Sequence, residues 1–427
     1  MHNSQKMKNL LICSSLALTF LAGCSSDDKT DPTPVVVAPI VQEAVSGEVS
    51  GTWVKGGTYK ITGHIQIPEG KSLTIEEGVT VLFSDSTIKP EVVVKGNLYS
   101  LGTTTAPVKF TVPDAWKTEK NLFGNLWGGL IAGPTSTELV LSNTILEYGG
   151  AVTTEESPSV KAGLYKAEAG EHVPVLYYSN VNGKLIVMNS TIRNFNEDGF
   201  YIEGGQVIIS NNYFYTTGVS GGDAINIKSG VQADVAFNLV YSPNTNALKL
   251  SNSGDRTPQA YVVGYNNTIV NAGWRRPTTK GGSIWLEKTV RADLYNNLLA
   301  NDRYGIKRDK GAPEDSRSVI SNTFYYGNDQ TTADQFQPSE EIVKGVNDII
   351  STKPADNDPK FVSYPLTTAM NNAAFSTSWD FHLAAGSPAI GKGKTDFTRL
   401  YANGITVNGV NYKSPAPADY IGAFGTK

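Results

Sequence analysis

Between residues 185 and 328 one short phrase recurs six times. An apolar alternation runs into an asparagine, and a polar turn and a second short strand follow. The copies are Leu185–Asn189 (LIVMN), Val207–Asn211 (VIISN), Asp234–Asn238 (DVAFN), Val262–Asn266 (VVGYN), Ala292–Asn296 (ADLYN) and Ser318–Asn322 (SVISN), spaced 22 to 30 residues apart. The alternation has the two-residue period of a strand, not the 3.6-residue period of a helix. A unit this short cannot bury its apolar face alone, so successive copies must stack, and the expected fold is a β-solenoid. The repeat constrains the fold and leaves the chemistry open.

The start of the chain bears on location. Met1–Lys8 carries Lys6 and Lys8 and no acid, and Leu10–Leu21 is apolar but too short for a stable membrane span. Leu21-Ala22-Gly23-Cys24 then resembles the lipobox of bacterial lipoproteins. That resemblance implies removal of residues 1–23 as a signal peptide and lipidation of Cys24. Ser25–Lys29 (SSDDK) is similar to the acidic signal that carries some lipoproteins to the outer face of the outer membrane. Residues 24–47, with Pro32, Pro34 and Pro39, are expected to form a semi-extended tether, because proline fixes φ and donates no backbone hydrogen bond. The expected location is thus the cell-surface side of the outer membrane, with the membrane as a partner through the lipid.

Cys13 and Cys24 are the only cysteines, so no disulfide is expected in the mature chain. Loss of Lys6 and Lys8 takes the formal charge from −4 to −6, and nothing in this balance suggests nucleic acid as a partner.

From Glu48 the chain reads as coils. Strictly alternating runs such as Thr58–Thr62, His64–Ile67, Ser72–Ile75 and Val79–Phe83 are broken by turns at Pro68–Gly70, Glu77–Gly78 and Lys95–Asn97. Residues 152–173 and 329–352 read as excursions from the coils, and residues 356–427 as a closing segment. One β-helix domain is expected over 48–427.

The closing segment carries Asp358–Val362 (DPKFV), Phe381–Leu383 (FHL), Gly386–Gly391 (GSPAIG) and Asp419–Ala423 (DYIGA). With Trp127-Gly128-Gly129 ahead of Leu146–Gly150, these motifs resemble those of exported bacterial proteins built as a single-stranded right-handed parallel β-helix. That architecture is similar to pectate lyases and chondroitinase B. The resemblance implies an all-β solenoid with loop excursions. It implies little about activity, since such folds serve lyases, adhesins and others.

The asparagines have a structural reading, stacking of one amide on the next along the turns. The second strand of each repeat says more about function. Aligning Phe200–Glu203, Ile225–Lys228, Leu248–Ser251, Ile284–Glu287 and Ile306–Asp309 puts Phe200, Ile225, Leu248, Ile284 and Ile306 inward. Tyr201, Asn226, Lys249, Trp285 and Lys307 then point outward, as do Glu203, Lys228, Ser251, Glu287 and Asp309. Coils lie about 4.8 Å apart, so these side chains should tile one exposed sheet. The inward position of Arg308 is costly unless the coil opens there.

Exposed aromatics stack on sugar rings, and amides, acids and lysines bond hydroxyls and uronates. Tyr201, Glu203, Asn226, Lys228, Trp285 and Glu287 are therefore the candidate ligand-binding residues, for a polysaccharide or another cell-surface partner. A solvated sheet merely dressed in polar side chains is the plainer alternative, and a spacer or adhesin is a third. If the chain is instead a lyase acting on an acidic glycan by β-elimination, Lys249 or Lys307 would be the base. Arg275 and Arg276 of the Trp274–Lys280 loop would then neutralise the carboxylate. Calcium would enter only in that case. Otherwise no cofactor is expected, and the scattered His64, His172 and His382 give no zinc spacing. Glu203 and Glu287 should lie about 14 Å apart and share no ion. A hydrolase is disfavoured because no close carboxylate pair falls on this face. The leading expectation is binding without turnover.

Overall fold

The computed structural model describes residues 40–165, 168–219, 221–278 and 281–427. The signal segment, Cys24 and the expected tether as far as Pro39 lie outside the described residues.

Each turn of the chain lays down three short strands. One coil contributes Gly205–Ser210, Tyr213–Thr217 and Ile225–Ile227, and the next Val231–Ala236, Leu239–Pro243 and Asn246–Ser251. Every strand pairs in parallel with its counterpart one coil on, as in Val207↔Ala233, Phe214↔Val240 and Ile225↔Leu248. Three columns of parallel ladders result, here numbered first to third in that order. The fold is all-β with long, mostly parallel sheets, consistent with a β-solenoid. Alternation places Leu185, Val187, Val207, Ile209, Ala233, Val235, Val262, Ala292 and Leu294 in one continuous buried core.

The corner between the first and second columns uses two adjacent positions. Asn143, Asn189, Asn211, Asn266, Asn296 and Asn322 adopt left-handed φ values of 47° to 58°, which asparagine tolerates better than most residues. The following position holds the stacked amides. Asn212 Nδ2 donates to Asn238 Oδ1 at 3.0 Å, Asn238 to Asn267 at 2.9 Å and Asn267 to Asn297 at 2.9 Å. The same side chains donate to the buried carbonyls of Val187, Ile209, Val235 and Gly264. The single asparagine column expected from the repeat is therefore two columns. Asn238 belongs to the second, because Phe237 occupies the left-handed position in its coil.

The sheet also begins earlier than Glu48. Val41–Glu48 is a strand paired in parallel with Thr58–Ile67. These residues follow the last proline of the expected tether, so their backbone is free to pair with the edge of the first coil.

Residues 356–427 run back along the outside of the coils as a strap. Phe361, Tyr364, Phe381, Leu383, Ala389 and Ile421 pack on Tyr215, Leu239, Tyr241, Val270, Leu298 and Phe324 of the second column. Ile405 and Val407 pack on Tyr99, Val140, Ile186 and Ile208 of the first. Asp234 fixes the strap by accepting from the Leu400 and Tyr401 amides and the Ser414 hydroxyl. His382 lies beside an isolated bridge between Phe361 and Leu383, with Nδ1 held by Asp380 at 2.6 Å. Packing of the strap on the first and second columns leaves the outer face of the third for the loops. No helix among the described residues is long and apolar enough to cross a membrane.

Candidate functional site

From Leu176 onward the third column comprises Leu176–Tyr178, Phe200–Ile202, Ile225–Ile227, Asn246–Ser251, Gly282–Glu287 and Lys307–Arg308. Its register matches the alignment made from the repeats, since Tyr201, Asn226, Lys249, Trp285 and Lys307 are successive partners across the ladder. On this face lies a cleft of about 500 Å³. Tyr201, Asn226, Lys228, Lys249, Trp285, Glu287, Lys307 and Arg276 all line it.

The face was expected to be open sheet, and it is recessed. Asn226, Lys228 and Ser251 are buried, while Tyr201 and Trp285 are half-buried. The excursion over residues 152–173 roofs one end. A Val152–His172 bridge closes its base, and Ser159 bonds the buried Glu91 carboxylate through both N–H and hydroxyl, at 2.9 and 2.8 Å. Tyr165 from this loop packs edge-on against Tyr201 and Tyr177, at 4.9 and 5.9 Å between ring centres. The second excursion forms the helix Gln330–Gln335 and brings Glu341 to 3.1 Å from Lys307.

The floor carries both signs of charge. Lys228 sits 5.4 Å from the Tyr201 ring centre, and burial, then the charge of Lys249, pulls its ammonium below the ordinary lysine range. Lys307 lies 5.7 Å from the Trp285 ring and 4.3 Å from that of Tyr304. Trp285 Nε1 donates to Glu287 at 2.8 Å, and Lys249 lies 3.8 Å from the same carboxylate. Burial works against the Glu287 charge, but Lys249 and these hydrogen bonds hold its pKa below the usual glutamate value. An aromatic ring with a cation on one side and a carboxylate at its edge suits an amphipathic ring such as a sugar.

The turns leading into the third column add a group that the alignment missed. Asp198 Oδ1 accepts from the amides of Gly222 and Asp223, at 3.2 and 2.9 Å. One coil on, Asp223 Oδ1 accepts from Asn246 N and Nδ2, at 3.0 and 2.8 Å. The second oxygens of both aspartates converge on Asn226 Nδ2, at 2.8 and 3.3 Å. Burial, then the neighbouring charge of Asp198, pushes the Asp223 carboxyl up to about 6. Both aspartates, with Glu197, line the cleft. The signal was present in the sequence, since Asp198, Asp223 and Asn246 each stand two residues before the inward Phe200, Ile225 and Leu248.

Three expectations need correction. Arg275 does not face the cleft. Its guanidinium donates to the Gly218 carbonyl at 2.7 Å, to the Ser242 carbonyl at 2.9 Å and to the Thr217 carbonyl, and it covers the Phe123 ring at 4.9 Å. Burial lowers its pKa to about 10. With its donors committed to carbonyls, it is a staple between loops and not a neutraliser of substrate. Glu203 lies outside the cleft lining, taken up by the Tyr177 hydroxyl at 2.7 Å and Arg256 at 2.9 Å. The absence of a close carboxylate pair was also mistaken, because Asp198 and Asp223 form one from successive turns.

Arg308 takes the register position opposite Leu286 in a strand only two residues long, and its guanidinium pairs with Glu314. Arg276 bonds Thr245 Oγ1 at 2.9 Å at the cleft wall, and Arg303 caps the carbonyls of Gly273, Arg276 and Thr278. Lys310 pairs with Glu340 in the exposed second excursion. Among the described residues no group of three or more His, Cys, Asp and Glu side chains is placed to hold a metal ion.

No protein family matches this chain, and neither curated proteins nor solved structures give a match.

Proposed function

We propose that this chain is a surface lipoprotein whose third-column cleft binds a segment of a polysaccharide. The observation that carries the reading is the meeting of Tyr201, Lys228, Lys249, Trp285, Glu287 and Lys307 in one recess, where rings are flanked by both donors and acceptors. Clefts of this size with a few convergent polar groups are the usual form of a small-ligand site. In this reading the coils wind as a right-handed parallel β-helix over residues 48–427, with the preceding strand Val41–Glu48 added to the edge. Lipid on Cys24 and the proline-rich tether hold the domain off the outer membrane, facing outward. A Cys24→Ser chain that still partitions into membranes would remove the anchor from this account.

Affinity electrophoresis tests the binding. The full chain is run in gels containing polygalacturonate, alginate, chondroitin sulfate or xylan. Retardation in at least one gel, lost in Trp285→Ala with unchanged thermal unfolding, is the expected result. Equal mobility in every gel would sink the reading.

One observation favours β-elimination as a second reading. Lys228 is a buried cleft lysine whose pKa is lowered, and a lysine so placed is a better base than Lys249 or Lys307, which are paired with Glu287 and Glu341. Of the two expected arginines only Arg276 remains at the cleft to neutralise a uronate, and calcium would have to supply what Arg275 does not. Ultraviolet absorbance from an unsaturated uronate, lost in Lys228→Ala, would establish this chemistry.

A further inference from the structure

The outward row of the third column is covered at one end and open at the other. Val93, Ile131 and Tyr177 precede Tyr201 in that row, each the ladder partner of the next. They are 1, 0 and 3 % exposed, and Ile131 and Tyr177 pack with Val173, Leu164 and Tyr165 of the first excursion. Tyr201 is the first ring of the row to reach the cleft. From there the row runs through Asn226, Lys249 and Trp285 to Lys307, four coil steps or about 19 Å at the usual strand spacing.

At Lys307 the cleft meets a second recess of about 530 Å³, which the same lysine also lines. Its other walls are Tyr304, Lys310 and side chains of the second excursion between Asp334 and Ile342. Backbone pairing fastens that wall, since Arg308 N–H donates to the Glu341 carbonyl at 2.8 Å and Val343 N–H to the Ile306 carbonyl at 2.9 Å. Lys307 stands between two half-buried rings, 5.7 Å from the centre of Trp285 in the first recess and 4.3 Å from that of Tyr304 in the second. Gly282 leaves room for Tyr304, because an added Cβ there would lie 3.1 Å from the Tyr304 Cβ.

We propose that the cleft takes the end of a linear polysaccharide, and that the rest of the chain leaves across Lys307 along the second recess. This rests on the saccharide-binding reading and deepens it. A groove stopped at Tyr201 does not let a chain run through lengthwise. The terminal sugar therefore lies against Tyr201, and the sugars that follow reach Trp285 and then Tyr304. Each recess offers one ring to a sugar face, and the Lys307 ammonium between them donates to the sugar that crosses.

The test uses polygalacturonate, alginate, chondroitin sulfate or xylan, whichever retards the full chain, cut to defined lengths. Binding is measured by calorimetry at equal mass of sugar, where shorter pieces present more ends. The expected result is an apparent Kd per mass that falls about tenfold for a cut of about tenfold in length, while the pieces still fill both recesses. A Kd per mass that stays constant on cutting overturns the proposal, because positions along the chain would then bind as well as its end.

Tyr304→Ala tests the outlet. It should weaken octamers about three- to tenfold, the usual worth of one aromatic contact, and leave trimers within about twofold. Trp285→Ala should weaken both lengths. Equal weakening of trimers and octamers by Tyr304→Ala, or of neither, overturns the path across Lys307. Circular dichroism checks the fold of each variant, and if Tyr304→Ala does not fold the length series on the native chain decides. Absence of binding at every length of all the polysaccharides would instead remove the binding reading, and this inference with it.

Discussion

Asp198 and Asp223 stand at the same turn position in successive coils and share one donor, the Asn226 side-chain amide, at 2.8 and 3.3 Å. Each also caps the backbone of the coil that follows, so the pair is built into the ladder of the solenoid while its second oxygens are taken up by the Asn226 amide. A single arrangement thus orders the turn and gathers acid at the site.

The pair makes stability depend on pH in a definite direction. The folded pKa of Asp223, about 6, lies above the ordinary aspartate value, so the folded state binds the proton more tightly than the unfolded chain. Its stabilising contribution is complete below the unfolded pKa of about 4 and is lost as pH rises through the folded value. Urea unfolding at about pH 4.5 and about pH 7.5 should show a loss on the order of 1–3 kcal/mol from this group, and Asp223→Asn should flatten that difference. An unchanged pH dependence in the variant would assign it to other residues.

The amide ladder should be costly to interrupt. Asn267 donates to Val235 O and Asn297 Oδ1 and accepts from Asn238 N and Nδ2, all in the interior. Asn267→Ala strands several buried groups at once and should cost about 2–4 kcal/mol in denaturant unfolding. Asn322→Ala removes an outer left-handed corner whose amide bonds the Lys392 carbonyl, and should cost only about 1 kcal/mol. Equal losses would mean that the two asparagine columns share one role.

Arg275 separates the two lyase arginines. Arg275→Ala leaves the carbonyls of Thr217, Gly218 and Ser242 without their donor and should lower stability by about 2–3 kcal/mol, with polysaccharide retardation unchanged. Arg276→Ala should do the reverse, weakening retardation with little change in unfolding. A binding defect in Arg275→Ala at full stability would return that residue to the cleft.

The third-column register was legible because side-chain alternation is strict and each strand carries its own inward Phe, Ile or Leu. Tyr201, Asn226, Lys249, Trp285 and Lys307 therefore fall into one row on the sequence alone. What escaped was whatever depends on loops. Tyr165 closes the cleft from an excursion with no repeat of its own, and its approach to Tyr201 comes from the anchoring of Ser159 on Glu91, 68 residues earlier. Arg275 and Arg276 are neighbours with the same chemistry, and only the fold of their loop sends one to the carbonyls and the other to the cleft. The path of the strap outside the coils follows from long-range packing of Phe361, Tyr364 and Phe381 that no periodicity records. Asn238 was placed in the wrong column because Phe237 takes a backbone conformation that asparagine holds in the neighbouring coils.

Trp285 offers the most direct test of the central claim, that a saccharide ring occupies the cleft. Its ring lies between Lys307 and Glu287 in the wall of the recess, so a sugar stacking there must change its surroundings. The measurement is tryptophan emission of the full chain during titration with a polysaccharide that retards it, beside the same titration of Trp285→Ala. The account predicts a saturable blue shift in the native chain that is absent from the variant. The same shift in both chains would contradict it, because the ligand would then sit elsewhere.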